Sequence, residues 1–181
     1  MSSPAVGLIE LSSIAYGMLS LDAMVKRSPV EILEARSASP GKYLILIGGE
    51  VAEVEEAMQA GLEVAAPYLL DSLFLPYAHE VLLPLPKGRP EHAPLDAMGI
   101  VETLTVASCL LAVDAAAKAA PIRPIDMRLA NQLGGKGYFT FTGELSDVEA
   151  AMEAAVAIAG GNCFSSAIIA RPHADIHPHV T

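Results

Sequence analysis

The sequence predicts an α+β protein: two tandem ferredoxin-like β-α-β-β-α-β units, with helices packed on antiparallel sheets. Two observations carry that prediction. The chain matches itself at a long offset, so that Gly7, Glu10, Asp22, Lys26 and Pro29 recur as Gly99, Glu102, Asp114, Lys118 and Pro121. After a two-residue insertion, Gly41, Lys42, Gly49, Glu50, Val54, Glu55 and Met58 recur as Gly135, Lys136, Gly143, Glu144, Val148, Glu149 and Met152, and His79 recurs as His173. A period this long marks two copies of one fold and not a solenoid of short repeats. Within each copy, short β-rich runs alternate with stretches of helical spacing, the order expected of helices covering one face of a sheet. The first unit is expected over residues 4–86 and the second over 95–181, with the Pro-rich polar segment Pro84 to Pro94 as linker.

The first copy opens with an apolar run, Val6 to Leu11, read as a strand. Ser12-Ser13 then offers hydroxyls that can accept from the free N–H groups of a helix start. Ile14, Met18, Leu21 and Val25 follow at spacings of four, three and four, one stripe of an amphipathic helix. Pro29 stops it, because proline has no N–H with which to extend the ladder. Val30 to Arg36 and Tyr43 to Ile47 read as a strand pair joined by the loop Ser37 to Lys42. A second helix carries Val51, Val54, Met58 and Leu62, and Leu73 to Leu75 suggests a closing strand. The second copy repeats the order: strand Met98 to Thr103, helix Val106 to Ala119 with Pro121 as stop, strands Ile125 to Leu129 and Tyr138 to Thr142 around the loop Ala130 to Gly137. Its last helix is expected to begin at Ser146-Asp147-Val148-Glu149, a capping-box pattern, with Val148, Met152 and Val156 as its buried stripe.

Composition narrows the function. Hydrophobic residues make up 52% of the chain and charged ones 18%, an apolar excess that must be buried in cores or between subunits and that favours an obligate oligomer. No apolar run reaches the ~18 residues of a membrane span. The net charge of −10 and the lack of a basic stripe argue against nucleic acid and against an anionic membrane surface. The opening residues show no basic, then apolar, secretory pattern. Cys109 and Cys163 fit neither a disulfide framework nor a zinc motif, so a cytosolic protein is expected. There is no Ser-His-Asp order, metal-ligand spacing or phosphate-binding glycine fingerprint. Glu10 and Glu102 occupy equivalent strand positions and are expected to be satisfied structural carboxylates, so no catalytic residue is assigned.

Val6-Gly7-Leu8-Ile9-Glu10, Asp22-Ala23-Met24-Val25-Lys26, Pro40-Gly41-Lys42, Gly49-Glu50-Val51 and Arg171-Pro172-His173 together resemble the bacterial microcompartment (BMC) shell-protein family, over nearly the whole chain. Each copy starts at its Gly-x-x-Glu strand, which resembles the unpermuted tandem class, the propanediol-utilisation T-type shell proteins. The resemblance implies a homotrimer that mimics a hexamer. Such a flat tile would pack laterally against other shell proteins, hexamers and pentamers, in the cytoplasmic shell around encapsulated enzymes. Duplication suits this, since it relaxes sixfold symmetry to threefold and lets alternate positions differ.

By motif position, Lys26 and Lys118 match the family's edge lysine and Arg171 its edge arginine. Tyr77 stands at the arginine position in the first copy. His79 and His173 belong to the same edge. The resemblance places Ser37, Ala38, Ser39, Pro40 and Gly41 of one loop, and Gln132, Leu133, Gly134 and Gly135 of the other, around a central pore. Some relatives carry a cysteine at the position of Ser39, and three such thiolates hold an iron–sulfur cluster. A serine hydroxyl is a poor ligand for iron–sulfur, so no cofactor and no metal are expected. His173, His177 and His179 are read as a surface tail. Two alternatives remain: a tandem small-molecule-binding regulatory module, which would stay a discrete oligomer, and an iron–sulfur-carrying shell protein for electron transfer.

Overall fold

The computed structural model describes residues 4–82, 96–130 and 133–179. The linker Pro84–Pro94 and Gln132 lie outside them. The chain divides into two compact units, one holding residues 4–82 and the other 96–179.

The first unit runs β1 (Pro4–Leu11), α1 (Ile14–Arg27), β2 (Glu31–Ala38), β3 (Lys42–Glu50), α2 (Val51–Ala65) and β4 (Leu69–Leu75). The second runs β5 (Ala97–Thr103), α3 (Val106–Ala119), β6 (Arg123–Leu129), β7 (Gly137–Gly143), α4 (Leu145–Ala159) and β8 (Cys163–Ala170). The sheets have the orders β2-β3-β1-β4 and β6-β7-β5-β8, antiparallel throughout. This is the β-α-β-β-α-β order expected, with the closing strand of the first copy four residues longer at its start than Leu73–Leu75.

Strand alternation sets the core. On one face of the first sheet, Ala5, Ile9, Leu11, Tyr43, Ile45 and Ile47 pack with Met24 of α1 and Val54, Ala57 and Met58 of α2, because side chains two apart on a strand share a face. On the other face, Val6, Leu8, Leu44 and Leu46 are also buried.

The buried side of α1 differs from the stripe its spacing suggested. Gly17, Ser20 and Met24 are buried, while Ile14, Met18 and Val25 are exposed. The reason is close approach. A Cβ on Gly17 would lie 2.3 Å from the Tyr43 ring, and the Ser20 hydroxyl donates to the Gly61 carbonyl of α2 at 2.9 Å. Small residues let α1 sit down on the sheet and against α2; of the expected stripe only Leu21 packs on the core, beside Tyr16 and Met24, while Ile14, Met18 and Val25 face outward. Ser13 caps α1 as expected, accepting from the Tyr16 N–H at 3.3 Å. Ser146 does not cap α4. That helix begins at Leu145 behind Glu144, with no side-chain cap, as α2 begins behind Glu50.

Candidate functional site

The first loop is a tight hairpin. Ser37 and Ala38 belong to β2, pairing with Tyr43 and Lys42, so the tip is Ser39-Pro40-Gly41, with a cis Ser39–Pro40 bond and Gly41 at φ 68°. All three tip residues are exposed. The insertion makes the second loop wider, spanning 130–136. The Ala130 N–H donates to the Lys136 carbonyl at 2.9 Å and the Lys136 N–H to the Leu133 carbonyl at 3.3 Å. Gly134 and Gly135 take φ of 63° and 93°, a region open to glycine at little cost. Gly134 is exposed and Gly135 buried.

The lysine after each loop has a different partner. Lys42 Nζ lies 3.4 Å from Glu10 Oε2. Glu10 sits on β1 opposite Leu44 and opposite Asp71 of β4; its side chain is 5% exposed, and Oε1 has no hydrogen-bond partner. Burial therefore pushes the Glu10 carboxyl above the usual carboxylate range; Lys42 opposes this and the charge of Asp71 adds to it. The expectation of a fully satisfied carboxylate holds for one oxygen only. In the second copy, Ser165 faces Glu102 where Asp71 faces Glu10, and the Lys136 ammonium lies 3.2 Å from the ring centroid of Phe164. The clue in sequence was an acid and a lysine on adjacent strands of the same face.

The second sheet also carries Asp126, which is buried and accepts from Arg128 Nε at 2.9 Å and from the Tyr138 hydroxyl at 3.2 Å. The repeat-related pair in the first copy is Arg36 Nε to Glu34 Oε1, without a tyrosine, since Leu44 stands at the position of Tyr138. Desolvation, then the negative charge of Asp126, raises the Tyr138 pKa.

Lys26 and Lys118 occupy the last turns of α1 and α3, each pairing at 2.6 Å with an aspartate one turn earlier, Asp22 and Asp114. The first pair is the more exposed, with side-chain exposures of 73% for Lys26 and 45% for Lys118. Beyond the outer strands, Tyr77 and Arg171 both take a left-handed backbone, at φ 56° and 51°. Each precedes a histidine whose Nδ1 accepts a backbone N–H two residues on, Val81 to His79 and Asp175 to His173. The repeat thus preserves the corner while exchanging its side chain.

Neither thiol belongs to a loop tip. Cys109 is buried on α3, its pKa pushed up to about 12 by burial, and Cys163 opens β8. With Ser39 at the first tip, the residues present do not suit an iron–sulfur cluster there. Among the described residues, no helix is long and apolar enough to cross a membrane.

Both units match one family model, the BMC domain, over residues 5–78 and 97–172. The chain belongs to the BMC-domain family. It is 40% identical, across 94% of each chain, to the bacterial microcompartment shell protein PduT of Citrobacter freundii. One BMC domain's length, 36% of this chain, is 35% identical to 58% of carboxysome shell protein CcmK4 of Synechococcus elongatus. A crystal structure of a microcompartments protein from Desulfitobacterium hafniense DCB superposes with a TM-score of 0.89 at 34% identity, covering 97% of this chain and 98% of that one. Two tandem BMC domains thus account for nearly the whole chain.

Proposed function

We propose that this protein is a structural shell component of a bacterial microcompartment in the cytoplasm and not an enzyme. In this reading three copies close into a pseudohexameric tile whose hairpin loops surround an axial pore for small polar metabolites. The observation that carries the assembly is uncovered apolar surface on one of the two outer strands of each sheet. β4 exposes Leu69 and Leu70, and β8 exposes Phe164 and Ile168. An edge strand presents unpaired backbone groups, and apolar edges invite association unless covered. The exposed Ile14, Met18 and Val25 of α1 add to the surface a ring would bury. The shell role rests on family membership and on the relatives that are themselves shell proteins.

Lys26, Lys118, Arg171, His79 and His173 are assigned to the rim that meets neighbouring tiles, and the loops 37–41 and 132–135 to the pore. Small residues and exposed backbone at Ser39–Gly41 support a narrow polar opening. The test pairs sedimentation with electron microscopy. Sedimentation should give three chains per particle, and the concentrated protein should form flat sheets or tubes. Replacing Lys26 and Lys118 by glutamate should leave the three-chain particle intact and abolish the sheets. A discrete particle that never tiles would favour a small-molecule sensor.

A further inference from the structure

We propose that Glu10 is a proton-binding site that sets the charge balance at the base of the first hairpin loop: with Glu10 ionised, Lys42 is neutralised by it, and with Glu10 protonated, the Lys42 ammonium is released toward the loop and toward anions. The geometry is asymmetric within one carboxyl group. Oε2 meets Lys42 Nζ at 3.4 Å, a long contact for an ion pair, while Oε1 is buried without a partner. An ionised carboxylate in that position leaves charge on an unsolvated oxygen, which is costly; protonation removes the cost. Asp71, directly across from Glu10 on β4, adds a like charge that favours the proton. The groups facing Glu10 are therefore Lys42 from β3 and Asp71 from β4; α1 and α2 pack on the opposite face, against Ile9 and Leu11. Lys42 is the residue that follows the Ser39-Pro40-Gly41 tip, so the charge it gains lies at the foot of the loop.

The second copy lacks the device. Ser165 replaces the facing carboxylate, and Lys136 is held over Phe164. Proton uptake thus changes one loop of each pair and not the other. That the released charge faces a pore rests on the axial reading above; the proton site itself does not.

The experiment follows carbon-13 in the glutamate carboxyls and nitrogen-15 in the lysine amines of the intact protein by NMR across an acid titration. The Glu10 carboxyl is expected to titrate above the ordinary glutamate range, and the Lys42 signal to move with the same midpoint while that of Lys136 does not. Asp71→Asn, on a partly exposed strand residue, should lower the Glu10 midpoint. Glu10→Gln should fix Lys42 at its low-pH position. A Glu10 midpoint at or below the ordinary value, a Lys42 signal that ignores it, or a midpoint untouched by Asp71→Asn would overturn the proposal. If Glu10→Gln does not fold, the wild-type and Asp71→Asn titrations decide it. None of these readouts depends on tiling, so failure of the ring and failure of the proton site are separable.

Discussion

In the first copy, Gly17 of α1 lies against the ring of Tyr43 on β3, and a Cβ on the glycine would come within 2.3 Å of that ring. In the second copy the sizes are exchanged. Cys109 stands on α3 at the position of Gly17, Gly137 on β7 at the position of Tyr43, and a Cβ on Gly137 would come within 2.6 Å of the cysteine Cβ. The helix–sheet spacing is thus filled once from the strand and once from the helix. The comparison teaches that each copy needs a glycine on one side of this contact, and that the side on which it stands is free to change, as close-packed interiors allow.

The sharpest way to break that comparison is to mix the halves. Gly17→Cys alone should cost about 3 kcal/mol by overpacking, and Tyr43→Gly alone about 3 kcal/mol or more by leaving a cavity. The double variant should lose about 1–2 kcal/mol less than the two single losses added together. Urea unfolding midpoints measure all three, and strict additivity would show that the exchange is accidental.

That exchange also marks where the sequence was legible. The repeat, the order of strands and helices, and the extent of α3 were readable, because glycine, proline and hydrophobic periodicity are local signals. The buried face of α1 was not. Periodicity finds an apolar stripe but not which face is buried, and here Gly17 meets the sheet and Ser20 meets α2, since small residues allow the shortest approach. The expected cap at Ser146 failed because α4 starts behind Glu144, matching Glu50 before α2, a correspondence available in the repeat itself. At the candidate site, the loops were placed by motif. The opposed fates of Lys42 and Lys136 depend on Leu70 against Phe164 and Asp71 against Ser165, strand partners that only register reveals.

A smaller effect comes from the lysines. The raised Glu10 pKa means that the folded chain keeps a proton the unfolded chain has already released. Its favourable contribution is present at low pH and is lost as pH rises from the ordinary carboxylate range through the raised folded value. Glu10→Gln should flatten that part of the stability profile, read as urea midpoints at pH values stepped upward from the ordinary carboxylate range; an unchanged slope would contradict it. Smallest is Phe164→Leu, which removes the ring beneath Lys136 and should cost about 0.5 kcal/mol, the scale of an exposed cation–π contact. Thermal unfolding would detect it, and a change of several degrees would mean that Phe164 is buried by a partner in the assembled state.

The paired left-handed corners at Tyr77 and Arg171 have a practical consequence. Both positions hold a similar left-handed φ with unrelated side chains, so the turn does not depend on which side chain it carries. Protein engineers would have an editable attachment point at Tyr77, for a peptide tag or a dye, with no redesign of the turn beneath it, while Arg171 is kept for the rim.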